Sequence, residues 1–209
     1  MAQAVPVDVL ADALGVTTPV SAAVALVARG YHPGTDAGPA GDDAVTRLVE
    51  LFGGTPDEAT AARIGLLVQA YEATAGLIGN AVRALPRWQG RAPVEAVLAE
   101  TLRHDPPVKA LHRVSTAPAR VGGTDVGTGT RVRIDLAAAN RDPAVFSDPD
   151  RFDPTRPERE RYLTLGAGLR PCPGRDHALA IAAGVVEAVR DHTRPSGRVG
   201  HPAVGGPTA

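Results

Sequence analysis

The chain has 209 residues, 44% of them hydrophobic, and its 22 basic and 23 acidic residues give a formal net charge of -1. This length suits one large domain or one and a half ordinary ones, with enough apolar residues for a core. The balanced charge predicts neither a nucleic-acid partner nor attraction to an anionic membrane. A single cysteine excludes an internal disulfide framework and a zinc site built from several thiolates.

The first part of the chain carries few structural signals. It opens with MAQAVPVDVL, which lacks a basic segment followed by a long apolar core, and no apolar run reaches the roughly 20 residues that span a bilayer. We therefore expect a cytoplasmic protein with no membrane partner. Apolar residues at helical spacing predict a short helix from Val5 to Val16, ending near Gly15. The Gly-, Pro- and Asp-rich run from Tyr31 to Asp43 predicts a solvated loop or linker, so residues 1–54 are expected to be a poorly defined N-terminal segment.

A long helix is predicted next. Thr55, Pro56 and Glu58 fit the N-cap, first helical position and third position of a capping box, and the pattern runs unbroken to Leu85. Such a helix would be about 45 Å long at 1.5 Å per residue. Its centre is apolar nearly all round, which predicts that the helix is buried.

Shorter elements follow the long helix. A second helix is predicted from near Pro93 to a point before Asp105, where two prolines end it. The sequence RVRIDL at 131–136 alternates polar and apolar residues after glycine-rich turns, which predicts a half-buried strand in a small β-sheet. Residues 140–157 are too rich in Pro and Asp for regular structure but hold Phe146 and Phe152, which indicates an ordered meander.

The last predicted helix runs from about Arg175 to His192, and the tail after it is expected to be disordered. Together these elements predict a mainly α fold with a small β-sheet. Its organisation would be residues 1–54 as the N-terminal segment, 55–193 as the folded core and 194–209 as the disordered tail.

The segment LGAGLRPCPGRD carries the strongest chemical signal. Gly166, Gly168 and Gly174 bracket Cys172, which stands just before a predicted helix. A lone cysteine is most often a small buried hydrophobe, but this glycine context favours a ligand. The segment resembles the cysteine-ligand loop of the cytochromes P-450. That resemblance implies that Cys172 is the axial ligand to the iron of haem b and that Arg170 binds a haem propionate.

The residues of this loop suit that role on physical grounds as well. Glycines let the backbone adopt positive φ and approach a flat macrocycle without Cβ clashes, and a helix N-terminus stabilises a thiolate. The chain departs from the family pattern at Leu165, which replaces an aromatic residue. It also has Pro171 and Pro173 beside the cysteine, and these remove N–H donors near the sulfur.

Three distant segments extend the resemblance. Glu100 and Arg103 match the family's Glu-x-x-Arg pair, and Arg151 is expected to be the arginine of the meander that joins them in a structural role. Such a pair alone contributes only a few tenths of a kcal/mol on a helix surface. Arg113 matches the arginine that reaches a haem propionate from the first sheet.

The long helix resembles the family's distal helix, which crosses the haem face. In this alignment Ala70 replaces the usual glycine, Glu72 keeps the acid, and Ala73 occupies the position of the threonine that holds iron-bound dioxygen. Thr74 is adjacent, but one residue turns a helix by about 100°, so we do not expect its hydroxyl to substitute directly. Glu72, Ala73 and Thr74 are thus the candidate distal residues.

The resemblance implies a cytochrome P-450 fold that lacks its N-terminal part. The lid over the substrate pocket and part of the haem clamp would be missing with it. It implies a haem-thiolate oxidoreductase that is monooxygenase-like towards a small organic, secondary-metabolite substrate and takes electrons from a ferredoxin-type donor. Two alternatives stay open. One is a catalytically impaired P-450-like auxiliary, and the other is a truncated gene product. A missing N-terminal fragment or a biosynthetic protein is accordingly a further candidate partner.

Overall fold

The computed structural model describes residues 3–31, 34–88 and 92–193, which are mainly helical. The helices are α1 (Ala4–Ala13), α2 (Ser21–Arg29), α3 (Gly38–Leu51), α4 (Glu58–Ala84), α5 (Val94–His104), α6 (Leu136–Ala139) and α7 (Arg175–Thr193). The strands are β1 (Ala110–Val114), β2 (Ala119–Val121), β3 (Thr124–Val126) and β4 (Arg131–Asp135). This arrangement confirms the mainly α fold with small sheets.

Helix α4 is the longest element and forms the axis of the fold. Its 27 residues begin one position after Asp57, whose side chain accepts a hydrogen bond from the Thr60 amide and caps the helix. The cap predicted at Thr55 is therefore wrong by two residues. The prediction that α4 is buried holds in part: Leu67 and Ile78 are buried where α4 packs against other helices, but Leu66 is 46% exposed.

The N-terminal helices pack against the first half of α4. Val7 of α1, Val24 of α2, Leu48 of α3 and Leu67 of α4 are fully buried in one apolar cluster. The sequence predicted a loop as far as Asp43, but α3 already begins at Gly38. A proline in the first helical turn is tolerated because the N–H that it lacks has no partner within the helix there.

A second apolar cluster fills the other half of the core, where α4, α5 and α7 meet. Leu77 of α4, Leu98 of α5 and Val186 of α7 lie in it with 2% exposure or less. Both clusters therefore rest on one helix. The predicted division between residues 1–54 and 55–193 stays a prediction, and the predicted tail from residue 194 lies outside the described residues.

The sequence predicted one small sheet, and the described residues form two separate antiparallel strand pairs. β1 pairs with β4, with Ala110 opposite Asp135 and Val114 opposite Arg131. β2 and β3 form a hairpin around Gly122 and Gly123, and both glycines have positive φ, as a tight two-residue hairpin turn requires. The strand predicted at 131–136 is confirmed in position, although Ile134 is 41% exposed rather than buried.

The meander predicted at 140–157 follows α6 and contains turns rather than long elements. Phe146 is 1% exposed and anchors the segment in the interior. The guanidinium carbon of Arg103 lies 5.3 Å from the centroid of the Phe146 ring, a cation–π contact that joins the meander to α5.

Candidate functional site

Backbone hydrogen bonds and two left-handed glycines shape the loop that carries Cys172. The Cys172 amide donates to the carbonyl of Leu165 at 2.8 Å, and the Gly166 amide donates to the carbonyl of Leu163 at 2.8 Å. Gly166 and Gly168 have φ values of +78° and +96°. Residues with a Cβ are disfavoured in this conformation, which explains the glycines at these two positions.

Cys172 is exposed at the end of this loop, three residues before the first residue of α7. The helix N-terminus carries the positive end of the helix dipole, which favours an anion nearby. Leu169, on the same loop, is 102% exposed. A thiol and a fully exposed leucine thus share one loop at the protein surface.

The base of the loop is attached to the core. Tyr162, 7% exposed, packs in the cluster with Leu98 and Val186, and the guanidinium carbon of Arg175 lies 6.0 Å from its ring centroid. Burial raises the pKa of the Tyr162 hydroxyl above its usual value of 10.0. The loop therefore starts from a buried aromatic residue and returns to a helix that contacts it.

A buried ion-pair network lies beneath the meander. Glu100 and Arg103 are each 0% exposed, and the Arg103 guanidinium donates two hydrogen bonds of 2.8 Å to the Glu100 carboxylate. The sequence predicted this pair correctly. Because both charges are desolvated, their separation would cost far more than that of a surface pair.

The third arginine of the network is Arg156, and the prediction of Arg151 is wrong. Arg156 Nε lies 3.2 Å from Glu100 Oε1, and the Arg156 side chain is 4% exposed. The Arg151 side chain is 66% exposed and approaches Asp153 at 3.9 Å instead. Arg151 contributes its backbone carbonyl, which accepts hydrogen bonds from both Arg103 and Arg156.

The buried guanidinium groups of Arg103 and Arg156 also donate to other carbonyl oxygens of the meander. Arg103 donates to the carbonyls of Asn140 and Pro149, and Arg156 donates to those of Ser147 and Asp148. A segment without helix or strand has carbonyl groups that need donors, and these arginines supply them. The network thereby fixes the path of the chain that leads to the Cys172 loop.

His104, the last residue of α5, also contacts the meander. Its Nε2 lies 2.9 Å from the carbonyl oxygen of Asp150, and its ring meets that of Phe152 edge-on at 5.6 Å between centroids. Burial lowers the pKa of His104 below its usual value of 6.5. The neutral imidazole is therefore favoured in the folded chain.

The two arginines expected to contact a propionate are both exposed. Arg113 lies on β1 opposite Val132, and its guanidinium donates to the neighbouring carbonyl of His112 at 2.8 Å. Arg170 lies on the Cys172 loop two residues before the cysteine. Of the three predicted loop glycines, Gly174 alone has an ordinary φ, and a Cβ there would meet no atom within 4 Å.

The three candidate distal residues lie on different sides of α4. Thr74 is buried at 4% exposure, on the face that carries Leu77 and Ile78 one turn later. Glu72 is exposed and lines a groove of about 540 Å³ formed by α4 residues and Gln3, whereas Ala73 is half-buried. Two residues turn a helix by about 200°, so the Glu72 carboxylate and the Thr74 hydroxyl point in nearly opposite directions.

Comparison with known proteins identifies the family. Residues 91–182 match the model of the cytochrome P-450 family. The chain is 38% identical over 161 residues to the putative cytochrome P-450 140 of Mycobacterium tuberculosis, an alignment that covers 70% of this chain and 36% of that protein. It is 34% identical over 147 residues to the erythromycin C-12 hydroxylase of Saccharopolyspora erythraea, covering 64% and 37% of the two chains.

Solved structures agree with the sequence comparison. The crystal structure of CYP164A2 from Mycobacterium smegmatis matches 88% of this chain with a TM-score of 0.71 and 28% identity, and the match covers 57% of that structure. The chain belongs to the cytochrome P-450 family, whose members are typically monooxygenases. It spans little more than a third of the length of the two curated relatives.

The residues present suit the haem of this family. In the described part of the chain, no group of three or more His, Cys, Asp or Glu side chains could hold a metal ion. Haem would need a single protein ligand for its iron, and the exposed thiol of Cys172 could supply it. The exposed Leu169 would add apolar surface beside the thiol for such a cofactor. None of the helices described is long and apolar enough to cross a membrane.

Proposed function

We propose that Cys172 binds the iron of haem b as a thiolate and that the chain is the haem-binding core of a cytochrome P-450 oxidoreductase. The observation that carries this proposal is the exposed thiol on a loop shaped by left-handed glycines, directly before a helix N-terminus. In this proposal the Cys172 loop, with the exposed Leu169, would hold the cofactor. Membership of the family supports the same assignment.

Other residues would hold the cofactor or its surroundings. Arg113 and Arg170 carry exposed guanidinium groups that suit the propionates, because a guanidinium matches a carboxylate with two parallel hydrogen bonds. Gly166 and Gly168 would allow the backbone of the loop to approach the cofactor without a Cβ in the way. Glu100 and Arg103 would have a structural role, shared with Arg156, because they hold the meander in place.

The proposed activity is monooxygenase-like oxidation of a small organic compound. Haem ligated by a thiolate supplies dioxygen activation, because the sulfur donates electron density that favours O–O cleavage. Ala73 offers no hydroxyl at the distal position, and Thr74 is buried on another face of α4. Proton supply would then depend on the Glu72 carboxylate, ordered water or a substrate hydroxyl.

Electrons would come from a ferredoxin-type donor. Arg170 is exposed, and Arg175, at the start of α7, is 47% exposed, so both positive charges are accessible beside the cysteine loop. An acidic donor protein would be attracted to such a site. The proposed substrate is a secondary metabolite, because the relatives include the erythromycin C-12 hydroxylase.

A catalytically impaired P-450-like auxiliary is the second candidate, and the distal helix favours it. The hydroxyl expected for oxygen activation is absent at Ala73, and the nearest threonine faces the core. In this case the chain would bind haem without efficient turnover and would act through contact with a biosynthetic protein. Haem binding and turnover therefore have to be measured separately.

The test is the reduced, carbon-monoxide-bound spectrum of the chain expressed with a haem supply. We expect the thiolate-type red-shifted Soret band in the wild type and its loss in Cys172→Ala. Because the chain has one cysteine, no other thiolate of this chain can produce the band. A wild-type spectrum without the band would refute the haem-thiolate proposal. A normal band without substrate oxidation in the presence of a ferredoxin would favour the auxiliary.

A further inference from the structure

Asn140 is a fully buried polar residue that neither the haem proposal nor the ion-pair network uses through its side chain. It follows α6, and its exposure is 0%. An amide side chain can donate two hydrogen bonds and accept two, and a buried one that lacks partners is costly. Its partners therefore indicate which parts of the chain it joins.

Two of its three partners, Leu163 and Thr164, lie at the approach to the cysteine loop, and the third, Leu102, lies on α5. Asn140 Nδ2 donates to the carbonyl of Leu102 at 3.1 Å and to the hydroxyl of Thr164 at 2.8 Å. Asn140 Oδ1 accepts from the amide of Leu163 at 2.8 Å. The Thr164 hydroxyl in turn donates to the carbonyl of Leu102 at 2.6 Å. This closed set of donors and acceptors fixes the orientation of the amide.

The same hydrogen bonds connect α5 to Cys172. Leu102 lies in the last turn of α5, one residue before Arg103, and Arg103 donates to the backbone carbonyl of Asn140. On the other side, the carbonyl of Leu163 accepts from Gly166, and the carbonyl of Leu165 accepts from Cys172. Asn140 thus stands between the buried ion-pair network and the start of the exposed loop.

We propose that Asn140 and Thr164 form a clamp that positions the Cys172 loop on α5. Both are positioning residues that act through the backbone of residues 163–166, and their relevance to haem rests on the proposed function. The loop beyond the clamp is exposed from residue 167 to 173, so its attachment points decide where the sulfur lies. A change at the clamp should alter the mobility of Cys172 without changing any residue of the loop.

The single cysteine provides a direct reporter. A nitroxide spin label on Cys172 of the haem-free chain reports loop mobility by electron paramagnetic resonance. Thr164→Val removes the hydroxyl while keeping the shape, and Thr164→Ser restores it. Asn140→Asp keeps the shape but removes both N–H donors of the amide. We expect Thr164→Val and Asn140→Asp to increase the mobile component of the spectrum about fivefold, the factor that follows from the loss of a typical intramolecular hydrogen bond.

Thr101→Val is the matched control. Thr101 is buried, and its hydroxyl donates to the carbonyl of Val97 at 2.7 Å, within α5. We expect this variant and Thr164→Ser to give the wild-type label spectrum. Unchanged mobility in Thr164→Val and Asn140→Asp would overturn the clamp, as would equal mobility in Thr164→Val and Thr101→Val.

A second measurement uses the haem-loaded chain. With a loosened clamp, the carbon-monoxide spectrum of Thr164→Val should shift from the thiolate-type band towards a thiol-type band, while Thr164→Ser keeps the wild-type ratio. A wild-type chain without the thiolate band would refute the haem proposal but leave the label experiment intact. The two proposals can therefore fail independently.

Discussion

Arg151 and Arg156 lie five residues apart in the same irregular segment, yet their surroundings differ completely. The Arg156 guanidinium is buried against Glu100, whereas the Arg151 guanidinium is exposed and only its carbonyl joins the network. A buried charge that loses its partner is left desolvated, whereas an exposed charge returns to water. The two positions should therefore respond very differently to the same substitution.

We expect Arg156→Ala to lower the free energy of unfolding by about 3–5 kcal/mol, because Glu100 and three carbonyls of the meander would lose a donor. Arg151→Ala is the matched control, since it keeps the carbonyl that accepts from Arg103, and its effect should stay within about 0.5 kcal/mol. Urea unfolding followed by far-UV circular dichroism measures both. An equal loss of unfolding free energy in the two variants would contradict the placement of Arg156, rather than Arg151, in the buried network.

At the scale of elements, local sequence signals predicted the elements that end at prolines or show a clear alternation of polar and apolar residues. The prolines after His104 and the alternation in RVRIDL located α5 and β4 to within a residue or two. The signals failed for α3, where Gly, Pro and Asp indicated a loop. Gly41 is buried there, and a Cβ at that position would lie 2.2 Å from the Cβ of Ala37. The glycine therefore serves close packing inside a helix.

The candidate site was predictable to different degrees for similar reasons. The Glu100–Arg103 pair follows from helical spacing, and the Cys172 loop follows from its glycines. The choice between Arg151 and Arg156 depends on the path of a meander that has no period, and Asn140 gives no sequence signal beyond its place after an apolar run. Tertiary hydrogen bonds determine both. Gly174, predicted together with Gly166 and Gly168, lacks the positive φ of the other two.

This difference among the loop glycines leads to a prediction. Gly166→Ala would force a side chain into a left-handed conformation at a cost of about 1–3 kcal/mol. Gly174→Ala, at an ordinary φ with open space around the Cβ, should change stability by about 0.5 kcal/mol or less. Thermal unfolding of the haem-free variants gives the comparison, and the fraction of haem retained gives a second measurement. Greater damage from Gly174→Ala would mean that close approach to haem limits the loop more than its backbone conformation does.

At the scale of the whole molecule, α4 supports both apolar clusters. The cluster of Val7, Val24, Leu48 and Leu67 packs on its first half, and the cluster with Leu77, Leu98 and Val186 packs on its second half. The two clusters share one continuous helix about 40 Å long, and helix formation is cooperative. Unfolding of one cluster should therefore destabilise the other. The folded chain should therefore unfold as one unit.

The single tryptophan allows that expectation to be measured. Trp88 packs near Ala96 and Val97, beyond the C-terminal end of α4, whereas Leu67 lies in the first cluster. Leu67→Ala should cost about 2–5 kcal/mol by leaving a cavity. Leu66→Ala, one residue away and 46% exposed in the wild type, should cost much less. If α4 joins both clusters in one unit, Leu67→Ala will lower the midpoint measured by Trp88 fluorescence as much as that measured by circular dichroism. An unchanged fluorescence midpoint would instead show that the two halves unfold independently.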